Sequence, residues 1–214
     1  GQRKVEMTTL DSVKYHLMLL QMALVAIDPL TGYVKCWNGG LDYRYFNLDH
    51  TIMRRSIGST AKPFVYTLAM TEKQIKPCDE FVDTVYTIYP GEGDFKNKEP
   101  WSPQNATKAN TKLKYNLYHG LMYSKNTITV RLLKELGSVK PLIDLWDKMG
   151  IGKEEKLPNG RLAVPEWPSI GLGAIDITLL QLTSAYTTFA NQGKWQKPIL
   201  VKSIKNKKGK RKSF

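Results

Sequence analysis

Pro63 limits where a helix can begin. Proline is tolerated in the first turn of a helix, where its missing N–H leaves no bond unmade, and it breaks a helix further in. In residues 52–70, IMRRSIGSTAKPFVYTLAM, it follows Gly58, Ser59, Thr60, Ala61 and Lys62. The spacing therefore predicts a helix that starts close to Ser59 and runs through Phe64, Tyr66, Leu68 and Met70. Ser59 and Lys62 then share a face, because residues three apart are neighbours on a helix. The free N–H groups of the first turn point at any negative charge that develops there. An amine beside a hydroxyl at a helix start makes up the parts of an activated serine. The plainer alternative is a serine N-cap followed by an exposed lysine, with no chemistry attached.

The rest of the chain predicts layers of helix and strand. Residues 10–21, LDSVKYHLMLLQ, place Leu10, Val13, Leu17 and Leu20 at helical spacing, as in an amphipathic packing helix. Residues 23–27 form a short apolar run, 28–32 (DPLTG) carry turn chemistry, and 33–37 alternate before Asn38, which predicts a hairpin. Its first strand is apolar on both faces and is expected to lie inside a sheet covered by helices. Periodicity vanishes over residues 76–110, where prolines and glycines interleave with Trp101 and tyrosines. An excursion of this length is expected to be ordered against the body, because aromatics pin it. Leu113, Leu117 and Leu121 mark a helix, interrupted at 123–126, and Ile128, Leu132, Leu133 and Leu136 mark another that Gly137 ends. Two more are expected at 139–149 and 176–191, the latter with Asp176 as N-cap and Gly193 just past its end. A strand near 199–204 closes an α/β (α+β layered) domain of helices packed on a central antiparallel sheet.

Composition narrows the partners. The net charge is +13, but seven bases (Lys202, Lys205, Lys207, Lys208, Lys210, Arg211, Lys212) fall among the last thirteen residues, and without them the net is +6. Such a run usually marks a solvated segment, and no ladder of aromatics accompanies it, so it is not read as a nucleic-acid site. A basic surface of this kind also favours an anionic polymer or membrane headgroups. The two cysteines, Cys36 and Cys78, have no metal spacing and no Cys-x-x-Cys pattern, and are expected as free thiols. No apolar run in the sequence is long enough to cross a bilayer.

Several stretches together resemble one family. RRSIGSTAKPFVYTLAM resembles the nucleophile segment of the penicillin-binding transpeptidases, most closely the bifunctional class A type, whose Ser-x-x-Lys motif it contains. ALVAIDPLTGYVKCWNGG resembles the family's opening hairpin. Tyr123, Ser124, Lys125, Asn126 and Thr127 resemble its Ser-x-Asn motif, and Trp101, Ser102, Pro103, Gln104 and Asn105 a loop that precedes it. GLGAIDITLLQLTSAYTTFANQGKWQKPILV is similar to the long helix and strand before the family's last motif. Order and rough spacing hold over nearly the whole chain.

The resemblance implies a β-lactamase/transpeptidase-like fold and a serine acyl-enzyme. Ser59 would attack the D-alanyl-D-alanine terminus of a peptidoglycan stem peptide, and Lys62 would take its proton. Ser124 would pass a proton to the leaving amine, while Asn126, with Trp101 in the loop before it, would hold substrate; β-lactams would acylate Ser59. Lys125 is expected as an exposed spacer. By their own chemistry Ser124 and Asn126 could equally cap the following helix. No cofactor or metal is implied. The family's class A members carry a membrane anchor and an upstream glycosyltransferase domain, which places the parent on the extracytoplasmic (periplasmic) face of the bacterial cytoplasmic membrane.

One element departs from the pattern. The third motif, Lys-Thr-Gly or Lys-Ser-Gly, is absent from the sequence, and the nearest string, Lys207, Lys208 and Gly209, lacks the hydroxyl. It is expected as a turn between ribbon strands. Residues 1–214 are accordingly read as one transpeptidase domain, incomplete at the C-terminus and lacking strands of its sheet. Two other functions fit parts of the sequence. A β-lactamase or β-lactam sensor would need a deacylating carboxylate, for which Glu166 in a proline-rich loop is the candidate. A non-catalytic binding module would use the basic tail and the Trp101 loop to grip an anionic polymer.

Overall fold

The computed structural model describes residues 4–107, 110–209 and 211–213, the last three as backbone only. Helix α1 (Thr9–Leu17) opens the chain, its first turn closed by Thr8, whose hydroxyl accepts from Asp11 N at 3.2 Å. It ends earlier than the periodicity predicts, and it does not pack as expected. No residue of α1 is buried, Leu17 is 80% exposed and Leu20 just beyond it is 87% exposed. The hairpin follows as expected, with β1 (Leu24–Ile27) antiparallel to β2 (Val34–Asn38). Asp28 shapes its turn by accepting from the backbone N–H groups of Leu30 and Thr31, and Gly32 takes a positive φ of 72°. Burial of β1 differs from the expectation. Only Val25 is buried, because β1 pairs with β2 alone and Leu24 faces outward.

The segment around Pro63 starts where the sequence predicts. After β3 (Arg54–Ser56), a 3-10 turn spans Gly58–Ala61, and α2 (Lys62–Glu72) continues from it with Pro63 in its first turn. Phe64, Val65, Leu68 and Ala69 on α2 are buried. The described residues of the excursion over 76–110 are tied to the body, as expected, through Ile88 and Phe95 in the core and a bridge between Ile88 and Trp101. The excursion also hides a strand that periodicity could not show, β4 (Glu80–Val82), paired with β5 (Lys114–Asn116). The helix expected from Leu113 therefore begins only at α3 (Leu117–Met122), and Leu113 itself is exposed.

Helices α4 (Asn126–Leu136) and α5 (Lys140–Lys148) match the apolar spacing, and Gly137 closes α4 in a left-handed conformation at φ 73°. Asp176 is not the N-cap of the next helix. It lies in β6 (Asp176–Thr178), which pairs with β3, and Thr178 caps α6 (Leu179–Ala190). The cap is a capping box in which Thr178 and Gln181 satisfy each other's backbone N–H, a stronger start signal than an isolated aspartate. Near the C-terminus Ile199 makes only a parallel bridge with Tyr33, and the strand starts later, as β7 (Ser203–Lys205). It pairs antiparallel with β8 (Arg211–Ser213), so Lys207, Lys208 and Gly209 fall between ribbon strands as expected; Lys210 lies outside the described residues.

The class is α/β with antiparallel strands, as expected. Among the described residues the strands form four two-stranded ladders, and the helices carry most of the core. Helix α2 runs through its centre against α4 and α5. The Phe64 ring meets Trp146 and Tyr186 edge-on at centroid distances of 6.0 and 5.2 Å. A fully buried side chain such as Phe64 contributes about 1.5–3 kcal/mol relative to exposure. The two cysteines are exposed and do not pair with each other. Among the described residues no helix is long and apolar enough to cross a membrane.

Candidate active site

Ser59 sits in the 3-10 turn and Lys62 is the first residue of α2, three residues on. Ser59 is exposed, and among the described residues its side chain makes no hydrogen bond. The turn that carries it is held from two sides. Tyr186 on α6 donates its hydroxyl to Thr60 O at 2.7 Å, and Ser56 donates to Gly173 O at 2.8 Å. Gly173, at φ 84°, lies so close that a Cβ there would sit 2.0 Å from Gly58 O. Only glycine permits that approach.

Lys62 is the unusual residue of the site, a lysine only 1% exposed. Its Nζ donates to Ser124 O at 2.6 Å, Ser124 Oγ at 3.0 Å and Asn126 Oδ1 at 2.6 Å. Three ammonium protons thus meet three acceptors. Burial lowers its pKa from the ordinary lysine value to about 8. The structure in this way brings together three of the sequence's candidate residues, Lys62 with Ser124 and Asn126 through hydrogen bonds, and Ser59 lies one turn before Lys62 in the chain.

Ser124 and Asn126 do not serve as ordinary helix caps. Lys125 is the N-cap of α4 without a side-chain cap bond, and Ser124, at φ 52°, holds a left-handed conformation rare for residues other than glycine. The orphan N–H of Asn126 is met instead by Asn105 Oδ1 at 2.9 Å, and Asn126 Nδ2 donates to Gln104 O at 2.8 Å. Both acceptors come from the Trp101 loop. Trp101 itself is half-buried and makes no hydrogen bond with the Lys62 cluster. It lines a recess of about 350 Å³ with Asn97, Pro100 and Trp167.

Lys125 is not an exposed spacer. Its side chain is 13% exposed and its ammonium pairs with Asp83 Oδ2 at 2.8 Å, 4.9 Å from the centre of the Tyr115 ring. It turns inward because Asp83, itself fully buried, offers a carboxylate there. Burial pushes the Asp83 pKa up, but hydrogen bonds from Lys125, Thr127, the Thr111 backbone and Asn105 more than reverse this and hold it far below the usual carboxylate range. Asp83 escapes sequence reasoning, since it lies in an aperiodic stretch 42 residues from its partner. Asn105 belongs to the WSPQN string, which was the one available signal. Glu166 is exposed, and among the described residues no hydrogen bond ties it to Ser59 or Lys62.

A groove of about 930 Å³ opens beside the turn that carries Ser59, with Ile57 and Thr60 on one wall and Leu17, Leu20, Phe46 and Leu182 among the others.

Fold and site together define a class: an α/β domain that presents a helix-start serine, a buried lysine one turn on, and a Ser-x-Asn turn behind the lysine. Comparison with known proteins is consistent with it. Residues 22–213 match the family model of the penicillin-binding protein transpeptidase domain. The chain is 32% identical over 214 residues to penicillin-binding protein 1A of Rickettsia conorii, covering 97% of this chain and 25% of that protein. To penicillin-binding protein 1A of Aquifex aeolicus it is 33% identical over 196 residues, covering 89% and 24%. Among solved structures, penicillin-binding protein 1A from Haemophilus influenzae superposes with a TM-score of 0.73 at 23% identity, over 89% of this chain and 26% of that one. PonA1 from Mycobacterium tuberculosis, in complex with penicillin V, gives 0.70 at 21% identity over 94% and 53%. The chain belongs to the penicillin-binding protein transpeptidase domain family. It spans about a quarter of the length of the curated relatives it matches.

Proposed function

We propose that this domain is a D,D-transpeptidase that crosslinks peptidoglycan through an acyl-enzyme on Ser59. The observation that carries the reading is the cluster of hydrogen bonds from Lys62 to Ser124 and Asn126. A buried lysine next to a serine, fully engaged with a second serine and an amide, is a proton-handling arrangement with a ready exit.

The chemistry follows in order. Neutral Lys62 takes the proton of Ser59 Oγ, and the oxygen attacks the carbonyl between the two terminal D-alanines of a stem peptide. The tetrahedral oxyanion is held by the backbone N–H of Ser59. Collapse breaks the C–N bond, and the proton passes from Lys62 through Ser124 Oγ to the departing amine of the last D-alanine. A second stem's amine then attacks the ester, gives up its proton along the same path in reverse and leaves Ser59 free. Asn126 binds the substrate amide and keeps Lys62 oriented, while Trp101 supplies an apolar wall beyond it. A β-lactam enters as a mimic of the D-alanyl-D-alanine terminus and stays on Ser59.

An oxyanion hole needs two donors, and the second comes from the third-motif strand in this family's pattern. Removing one such donor commonly costs about a hundredfold or more in rate. In its parent, we infer, the domain acts with a membrane anchor and a glycosyltransferase domain at the extracytoplasmic face. The match of residues 22–213 to the transpeptidase-domain family model supports the transpeptidase reading over the lactamase one.

Release of D-alanine from a pentapeptide ending in D-alanyl-D-alanine, in the presence of an acceptor amine, tests this. Slow release that disappears in Ser59→Ala is expected, and release that survives the substitution would sink it.

A further inference from the structure

The most heavily engaged buried group outside the Ser59 and Lys62 pair is Asp83. Its Oδ2 accepts from Lys125 Nζ at 2.8 Å, Thr111 Oγ1 at 2.9 Å and Thr111 N at 3.1 Å. Its Oδ1 accepts from Thr127 Oγ1 at 2.6 Å and Asn105 Nδ2 at 2.8 Å. These donors belong to two walls. Thr111 and Asn105 lie on the stretch between β4 and β5, and Lys125 and Thr127 flank Asn126 at the start of α4. One carboxylate therefore sets the register between the loop and the Ser-x-Asn turn. Asn105 completes the link, because the amide that donates to Asp83 also accepts from the N–H of Asn126 at 2.9 Å.

The turn needs such support. A residue with a Cβ holds a left-handed conformation only where its surroundings over-determine it. Ser124 does so without glycine's freedom, and Lys125, next to it, has its charge neutralised by Asp83. From this we propose that Asp83 and Asn105 are positioning residues for the acyl-transfer site: acting through Lys125 and the N–H of Asn126, they hold Ser124 and Asn126 where both reach Lys62. The inference rests on the functional reading above for its consequence in rate, but not for its geometry.

The test uses the chain with Lys125→Met combined with Asp83→Asn. The pair of changes removes both charges, so neither is left buried alone. The readouts are the melting temperature, the Lys62 titration followed by its ε-carbon and ζ-nitrogen NMR signals, and the rate constant for penicillin acylation. In the folded double variant, the Lys62 midpoint is expected to rise from about 8 toward the ordinary lysine value as the turn loosens and admits water. Acylation is expected to fall roughly tenfold to a hundredfold. A folded variant with wild-type titration and acylation overturns the proposal. Should the double variant not fold, Asn105→Ala, which leaves the ion pair in place, decides by the same readouts. If the unmutated chain takes up no penicillin, the functional reading fails, and the Lys62 titration alone still judges the positioning role.

Discussion

Lys62 is a charged side chain placed where charge is expensive, and the placement is useful because it shifts the amine toward its neutral form. With burial lowering its pKa to about 8, the fraction able to accept a proton grows as pH rises through that value. Penicillin acylation by the chain is therefore expected to increase between roughly pH 7 and 9 and level off above, well below the ordinary lysine range. Stopped-flow or mass-based rates across that span check it, and a midpoint near 10 would contradict it. On the proposed mechanism Lys62→Arg removes the base, because a guanidinium does not deprotonate in proteins, and acylation should drop by about two orders of magnitude or more.

Asp83 carries the opposite sign. Its folded pKa is depressed below the unfolded value, so its contribution is fully present above about pH 4 and is lost as pH falls toward the folded value. Asp83→Asn alone leaves Lys125 as a buried unpaired charge and should cost about 3–5 kcal/mol at pH 7. Denaturant melts at pH 7 and pH 3 should show the gap between variant and wild type narrowing in acid. At this scale the sequence was legible where partners are neighbours. Ser59 and Lys62 lie one turn apart, and the Ser-x-Asn string identified Ser124 and Asn126 by resemblance. Lys125 was misjudged because its partner is 42 residues away, with no periodic pattern to bring it near.

At the scale of elements, the turn that carries Ser59 depends on what packs behind it. Gly173 lies against the Gly58 backbone with φ 84°, so Gly173→Ala both strains its own backbone and pushes on the turn that carries Ser59. Loss of about 2 kcal/mol or more is expected, together with slower acylation. The correction at the start of α6 is testable as a contrast. Thr178→Ala should cost about 1 kcal/mol, whereas Asp176→Ala, which removes no cap, should cost less. Thermal or urea melts of the two variants decide, and the reverse ranking would restore Asp176 as the cap. Helices were legible because their apolar spacing repeats over about two and a half to three turns, as in α5 and α4. The strands β3 to β6 span three residues each, too short for alternation to register.

At the scale of the whole molecule, apolar surface is left open around α1 and the groove beside the Ser59 turn. Leu17, Met18, Leu20, Met22 and Leu24 are all well exposed within one short stretch. A contiguous patch of this kind binds hydrophobic dye and drives association. Replacing Leu17 and Leu20 by serine should reduce both while leaving the melting temperature nearly unchanged, since neither is buried. Amphipathic spacing predicted α1 correctly as a helix, but spacing cannot say whether a partner surface is present to receive the apolar face. The fold class was legible from the order of its elements, and the helical core follows it closely.

The central claim is that Ser59 is the nucleophile. Intact mass of the chain after long incubation with a penicillin, followed by peptide mapping, tests it most directly, with Ser59→Ala alongside. One slowly formed adduct of the drug's mass is expected, located on Ser59 and absent from the variant. An adduct that maps elsewhere, or that forms equally in Ser59→Ala, would contradict it.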